Sequence, residues 1–418
     1  MHVNLIQAIA QNTVIMVGDN RPLECNRFVS VQPHAPKRLS LFTIELTQQC
    51  NFRCSYCCFS GEYRERREHN STQMSELTMR EMVRFIVENR CKDRLTIVTF
   101  YGGEALLAID KMKWVICKLR TCLGDNVGFS ISSNGYLLTP KVVDWLCSVP
   151  NCHIYITIDG YEDLHDSNRK TIDNQPTYQK IVGNLRYFKE KYPLEYRERV
   201  FFLVTLKRWI DLVEVSDRWN KSRFFCDKIP THLSFILPKN LEEIKNPVSS
   251  IEERELALKI AFDRYKSGEK SLLVNQFTEW TDSIARSKKM VSNGAETIIY
   301  TCVEDMYRVF ITAKGDIFIC ERFCSNDCMV GNVIDGLNEE KIIGLENRFM
   351  EMKNKHCVGC NNVSICSFCF TALNYNEEEL EEMCEMERKM GELMTRYYWK
   401  RRMWDRRKQL LKIENESK

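Results

Sequence analysis

The sequence predicts an α/β chain: a partial (β/α)6, TIM-like barrel, then a cysteine-rich domain, then a C-terminal helix. Three observations lead there. Six short β-rich runs alternate with helical patterns between residues 40 and 237. The polar, glycine-containing strings fall just after those strands. Cysteines crowd two separate stretches, 50–58 and 302–384.

Residues 1–38 carry no strong pattern and read as an N-terminal extension. The strand runs are 40–46 (SLFTIEL), 95–100 (LTIVTF), 127–132 (VGFSIS), 153–158 (HIYITI), 200–205 (VFFLVT) and 232–237 (HLSFIL). Helical patterns cover 75–91, where Met79, Met82, Val83, Ile86 and Val87 recur at helical spacing, and 108–122, 139–147, 177–191 and 210–220. Alternating strand and helix argues for a parallel sheet of right-handed βαβ units, which six units complete as a partial barrel or an open doubly wound sheet. The polar strings favour the barrel. The cysteine loop follows the first strand, Gly102-Gly103-Glu104 the second, Ser133-Asn134-Gly135 the third and Asp159-Gly160 the fourth. An α/β barrel gathers its site at these C-terminal strand ends. The barrel is expected over 39–240, a charged helical connector over 241–300 and the cysteine-rich domain over 301–385. That domain is short on helix-period pattern, with turns at Lys314-Gly315-Asp316 and Val330-Gly331-Asn332. A helix from about 377 ends in a basic part, 386–418.

The chain has 418 residues, 44% hydrophobic and 28% charged, which suits a globular protein. A formal net charge of +3 is too small to argue for nucleic acid, so the basic end reads as a solvated surface. The start, MHVNLIQAIAQN, lacks the basic and long apolar regions of a signal peptide, and no stretch suits a membrane span. A reducing, cytoplasmic setting follows, in which clustered cysteines bind metal rather than pair. Cys91, Cys117, Cys122, Cys147, Cys152 and Cys226 lie singly in apolar contexts and read as small buried hydrophobes.

Cys50, Cys54 and Cys57 sit in CNFRCSYC, at Cys-x₃-Cys-x₂-Cys spacing. Thiolates suit iron–sulfur clusters or zinc. Three ligands hold three corners of a [4Fe–4S] cube and leave one iron open to a small molecule. Zinc is the alternative, with Cys58 or His69 as fourth ligand. Tyr56, before the third cysteine, is placed to shield the cluster or touch its ligand. At Gly102-Gly103-Glu104 the glycines let backbone approach a ligand closely, and the carboxylate can accept from an ammonium group.

The cysteine loop at 50–57 and the GGE turn at 102–104 resemble the radical S-adenosylmethionine (SAM) superfamily, over about residues 40–240. The resemblance implies that the open iron binds the amino and carboxylate groups of SAM. Reductive cleavage then gives a 5′-deoxyadenosyl radical that abstracts a substrate hydrogen. It also implies that Gly102, Gly103 and Glu104 line the methionine amino group, with Ser132 and Asn134 near the ribose or adenine. The string Asp159-Gly160-x₄-His165-Asp166-x₂-Arg169 resembles a segment of peptide- and sulfatase-modifying members, which makes Arg169 the candidate for the SAM carboxylate. The alternative for Arg169 is a surface salt bridge.

The C-terminal cysteines resemble a SPASM auxiliary-cluster domain. That resemblance gives Cys357, Cys360, Cys366 and Cys384 to a distal [4Fe–4S] cluster, and Cys302, Cys320 and Cys369 to a nearer one. Two departures stand out. Two residues, not three, precede the position of Cys369, and Arg308 stands where sulfatase-maturing members carry a further cysteine. The nearer cluster therefore keeps an open iron or recruits Cys324 or Cys328. Glu321 matches an aspartate proposed as a proton acceptor in those members, and a carboxylate beside a buried cluster can act as general base. The alternative is a partner for Arg322.

The function the resemblance implies is a maturase of a ribosomally made precursor peptide that installs a thioether, carbon–carbon or aryl ether cross-link. A flavodoxin- or ferredoxin-type electron donor is the expected partner. Leader recognition falls to the barrel rim, the connector or a separate leader-binding protein. The alternatives are an anaerobic sulfatase-maturing enzyme that makes formylglycine and, in another class, a zinc-binding module for nucleic acid or a protein partner.

Overall fold

The structure, a computed structural model, describes residues 27–29, 39–63, 66–285, 290–292, 297–299, 307–323 and 325–416. Six parallel strands run in order: β1 (Leu41–Glu45), β2 (Thr96–Tyr101), β3 (Val127–Ser133), β4 (Cys152–Thr157), β5 (Val200–Leu206) and β6 (His232–Phe235). Each pairs with the next in sequence. A doubly wound sheet reverses its strand order at a switch point. The order 1-2-3-4-5-6 has no reversal, and right-handed crossovers then put every helix on one face and curl the sheet into a partial barrel.

The outer helices are α1 (Glu76–Asn89), α2 (Ile109–Leu123), α3 (Pro140–Ser148), α4 (Glu162–Asn168), α5 (Tyr178–Lys191), α6 (Pro193–Arg199) and α7 (Asp211–Lys221). Their starts follow ordinary capping chemistry. Ser75 accepts from the Thr78 amide at 3.0 Å, and Pro140 supplies a preset φ to the first turn of α3. The α1 stripe Met79, Met82, Val83, Phe85 and Ile86 is buried. Along the strands, Val98, Phe100, Ile131, Ile156, Phe202 and Val204 are also buried. Alternate positions are more polar, and they bond across the lumen face: Thr99 with Ser130 at 2.7 Å and Thr205 with Ser234 at 3.3 Å. A closed barrel fills its interior with branched apolar side chains. This one keeps a polar lumen.

The C-terminal region joins the same sheet. Strand β7 (Arg308–Ile311) runs parallel beside β1, and β8 (Asp316–Phe318), β9 (Gly331–Asn332) and β10 (Gly336–Leu337) extend it antiparallel. The connector folds as α8 (Leu241–Lys245), α9 (Ile251–Lys266) and α10 (Leu272–Ala285). A short antiparallel pair follows it, Met290–Ser292 with Thr297–Ile299, and Phe28–Val29 of the N-terminal extension pairs with the second strand. Within 301–385, expected to be short on helix, α11 spans Glu339–His356. Lysines and glutamates dilute its apolar stripe, but Ile342, Leu345, Phe349 and Met350 keep helical spacing and are buried. The last helix is α12 (Glu377–Glu416).

Three cysteines read as buried hydrophobes are exposed instead: Cys117, Cys122 and Cys226. The buried stripe of α2 is Met112, Val115, Ile116, Leu119 and Leu123, which leaves 117 and 122 on the outer face. Cys91 and Cys152 are buried and Cys147 is partly so. Among the described residues, no helix is long and apolar enough to cross a membrane.

Candidate active site

A cavity of about 490 Å³ opens at the C-terminal ends of the barrel strands. Cys50, Cys54, Cys57 and Cys58 line it from the loop after β1, Gly102, Gly103 and Glu104 from the end of β2, and Ser132 and Asn134 from β3 and its loop. Arg169 lines it from the end of α4, and Glu321 and Arg322 reach it from the C-terminal region. Among the described residues, no three His, Cys, Asp or Glu side chains gather closely enough for a single metal ion. A four-iron cube is larger than one ion and takes its thiolates at its corners.

The loop is built for sulfur. The Phe52 amide donates to Cys50 Sγ and the Phe59 amide to Cys57 Sγ, each at 3.4 Å. Burial is the main reason the Cys50 and Cys57 thiols are pushed up to about 12, and burial raises Cys54 as well. Bare thiols there stay protonated, and cationic iron reverses that balance. His69, weighed as a zinc ligand, lies 3.3 Å from Cys57 Sγ.

The GGE turn packs on the loop so tightly that side chains have no room. A Cβ on Gly103 would lie 1.8 Å from the Gln49 carbonyl oxygen. Gly102 has φ of +122°, and a Cβ there would meet Glu45 Cγ at 2.7 Å. Glu104, 1% exposed, accepts from the Leu106 amide at 3.0 Å, the Ser133 hydroxyl at 2.8 Å and the Asn134 amide at 2.8 Å. Burial raises its pKa and these donors oppose that. Its carboxylate thus ties the end of β2 to the end of β3. Asn134 reaches on to the Asn51 side chain at 2.8 Å, next to Cys50.

Arg169 is 6% exposed, which rules out the surface salt bridge. Its Nη1 donates to the Tyr56 hydroxyl at 2.8 Å, and that hydroxyl donates to Asp159. Its Nε is buried without a partner. Asp159 accepts from the Thr205 amide at 3.0 Å, and its own amide donates to His165 Nδ1 at 3.2 Å. Thr177 closes the ring between His165 Nε2 at 3.1 Å and the Arg169 carbonyl at 2.7 Å.

Residues 44–211 match the family model "Radical SAM superfamily". That segment, most of the barrel, is a radical SAM domain. SAM and a [4Fe–4S] cluster are the cofactors of that family, and this cavity fits them. Three thiols line one wall, and Gly102, Gly103 and the buried Arg169 line it as well.

The C-terminal cysteines fall into two neighbourhoods. Cys384, on α12, is raised to about 11, first by burial and then by Cys357, Cys366 and, more weakly, Cys360 around it. The loop carrying those three is pinned to α12: Asn362 Nδ2 donates to the Glu387 carbonyl at 2.9 Å and Ser367 Oγ to Glu387 Oε2 at 2.9 Å. Cys320 is pushed up to about 12 by burial, with Glu321, Arg308 and Cys369 as charged neighbours. Cys328 is 2% exposed and accepts from Ser325 Oγ at 2.9 Å and Arg348 Nη2 at 3.8 Å. Cys302 and Cys324 lie outside the described residues. Residues 320–323 form a turn closed by the Phe323 amide on the Cys320 carbonyl at 3.3 Å, and this turn presents Glu321 and Arg322 to the cavity.

Sequence reasoning missed Glu45. It is fully buried at the end of β1, ion-paired to Arg67, and accepts from Gln48 Nε2 at 2.7 Å and the Ala313 amide at 3.3 Å. It therefore joins the base of the cysteine loop to the turn after β7. A carboxylate inside the apolar run SLFTIEL was the available signal.

Two curated relatives span most of the chain. A cysteine-type anaerobic sulfatase-maturating enzyme of Clostridium novyi (strain NT) is 23% identical over 82% of this chain and 89% of its own length. The radical SAM cyclopropyl synthase TigE of Paramaledivibacter caminithermalis is 22% identical over 81% of this chain and 69% of its own. Among solved structures, native anSMEcpe with bound AdoMet and the Cp18Cys peptide superposes with a TM-score of 0.57 at 17% identity, covering 85% of this chain and 99% of that one. At that identity the likeness is one of fold.

Proposed function

We propose that this protein is a radical SAM maturase that modifies a side chain of a peptide or protein, and that the product is a cross-link in a ribosomally made peptide. One observation carries the reading. Glu321 and Arg322, directly after Cys320, line the same cavity as Cys50, Cys54, Cys57 and Arg169, so the C-terminal cysteine region borders the barrel site. Relatives named as a sulfatase-maturating enzyme and a cyclopropyl synthase span both regions.

In this reading Cys50, Cys54 and Cys57 hold the cluster of the barrel. Cys357, Cys360, Cys366 and Cys384 hold a distal auxiliary cluster, and Cys320 and Cys369, with Cys302, a nearer one. When bound, the barrel cluster and SAM would supply radical chemistry for hydrogen abstraction, and the auxiliary clusters would supply an electron acceptor. Arg169 would pair with the SAM carboxylate, and Tyr56 and Asp159 hold that guanidinium still. Backbone at Gly102 and Gly103 faces the methionine amino group, with Glu104 fixing the turn. Ser132 and Asn134 face the ribose or adenine. Glu321 takes the proton that the substrate loses as the new bond forms.

The formylglycine reading has two supports, the carboxylate at 321 on the cavity wall and the relative named as a sulfatase-maturating enzyme. Arg308 beside Cys320, in place of a thiol, weighs against it. Anaerobic co-expression with a small peptide encoded nearby, followed by mass spectrometry, tests both. Loss of two hydrogens with fragments that stay linked supports the cross-link. An aldehyde at one residue supports formylglycine, and an unchanged peptide overturns the maturase reading.

A further inference from the structure

A second cavity, about 520 Å³, lies beside the first. Tyr56, Phe235, Ile236 and Leu237 line both, so the two share a wall. Its surface is aromatic and thioether-rich. The Trp209 ring stacks on Phe235 at 4.7 Å between centroids and 6° between planes, and Trp280 lies 4.4 Å from Trp209. Helix α12 contributes Met383, Met386, Met390 and Met394, whose spacing puts them along one helix face. Lys207, Glu243 and Glu387 border it, and the Arg254 guanidinium lies 5.8 Å over the Trp209 ring and donates to Met386 Sδ at 3.6 Å, so charges of both signs meet the groove. Methionines adapt to varied apolar shapes, and paired indoles give a flat apolar platform.

We propose that this groove seats the substrate segment flanking the modified residue, and that it takes an aromatic or aliphatic side chain of that segment against Trp280, Met390 and Met394, beside Arg254. The proposal rests on the peptide-modifying reading above. The shared wall is what selects the occupant: a peptide with one residue in the barrel can continue into the groove. An extended chain advances about 3.3 Å per residue, so the seated side chain lies a few positions from the modified one. The cavity volume suits a large side chain with its backbone.

The test uses the full chain, reconstituted anaerobically with iron, sulfide and SAM, and an equimolar library of random dodecapeptides as probe. Retained peptides are read by mass spectrometry. Wild type should enrich large apolar residues about tenfold over Ser, Asp and Lys at one position, the effect of roughly 1.4 kcal/mol. Val248→Glu and Trp280→Ala should abolish that enrichment. Val248 is 62% exposed on the groove rim, so a charge there leaves folding intact. Equal enrichment in both variants overturns the groove. So does retention of peptides without side-chain preference, which leaves the peptide-modifying reading standing. Wild type that retains no peptide overturns the groove and counts against that reading too.

Discussion

The Arg169 guanidinium donates to the Tyr56 hydroxyl at 2.8 Å across 113 residues of chain. Tyr56 stands between two candidate cluster ligands, and Arg169 closes the segment after β4. One hydrogen bond therefore joins the cysteine loop to the far side of the barrel mouth, and Asp159 holds the hydroxyl from below. Arg169 lines the cavity, and its Nε is buried without a partner. The expected result of Arg169→Ala is weaker SAM binding by about 30- to 100-fold, since a hydrogen bond to a charged group is worth roughly 2–3 kcal/mol when buried. Equilibrium dialysis of the anaerobic protein measures it. Tyr56→Phe should cost less, because it removes only the brace. Unchanged SAM affinity in Arg169→Ala removes the arginine from the site.

The glycines give a graded prediction. Gly103→Ala forces a Cβ to within 1.8 Å of backbone at Gln49, which cannot rotate away. The loop carrying Cys50 must shift, and iron and sulfide per chain should fall. Gly183, on an exposed turn of α5, meets nothing within 4 Å. Gly183→Ala should stabilise the fold by about 1 kcal/mol and leave iron content alone. Chemical denaturation and iron assay on the same preparations separate the two effects.

His165 makes the fold sensitive to acid. It is fully buried, and burial first, then the charge of Arg169, holds its pKa well below 6.5. Its Nδ1 accepts from the Asp159 amide, which only a neutral ring can do. The unfolded chain takes up a proton as pH falls below about 6.5, and the folded chain does not. The unfolded state then binds more protons, so stability is full above that pH. Below it, stability falls by about 1.4 kcal/mol per unit until the folded pKa is reached. Unfolding free energies of wild type and His165→Gln between pH 7.5 and 5 should converge with acid. A constant difference across that range contradicts the prediction.

Much of this was legible in the sequence because periodicity and spacing are local properties. The six barrel strands and five of their helices lie within about two residues of where alternation and helical spacing put them. The convergence of Cys50, Gly103 and Asn134 followed from one topological rule about strand ends, and Arg169 from the resemblance of its segment. What escaped depends on contacts between distant segments. Nothing local says that β7 pairs with β1 and carries the C-terminal region onto the barrel sheet. Nothing local says that Met386 and Trp280 line one groove, or that Glu45 anchors the turn at Ala313. Short helices α4 and α6 were missed because seven residues span too few turns to show a period.

Glu321 can be tested apart from radical generation. It reaches the cavity from the turn after Cys320, and its proposed task is to take a proton late in the reaction. Glu321→Gln keeps the shape and loses the basic oxygen. Product formed per 5′-deoxyadenosine released should drop at least tenfold, since general bases typically contribute 10²–10⁴-fold. A ratio equal to wild type removes it from the mechanism and leaves it as a neighbour of Arg322.

The cysteines of the C-terminal region yield the sharpest contrast. Cys384 feels Cys357, Cys360 and Cys366, the thiols proposed to hold the distal cluster with it. Cys384→Ser should therefore lower iron by about four per chain while the barrel cluster persists. Cys328 is different. Its sulfur already accepts from Ser325 and Arg348 within the apolar core, and moving it to a cluster means breaking both contacts. Cys328→Ser should keep full iron content and cost only the packing of one buried sulfur, about 1 kcal/mol. If Cys328→Ser instead loses iron, the nearer cluster recruits that thiol, and the fold must release it from Arg348 when the cluster assembles. Iron and sulfide assays with Mössbauer spectra on the two variants decide between these outcomes.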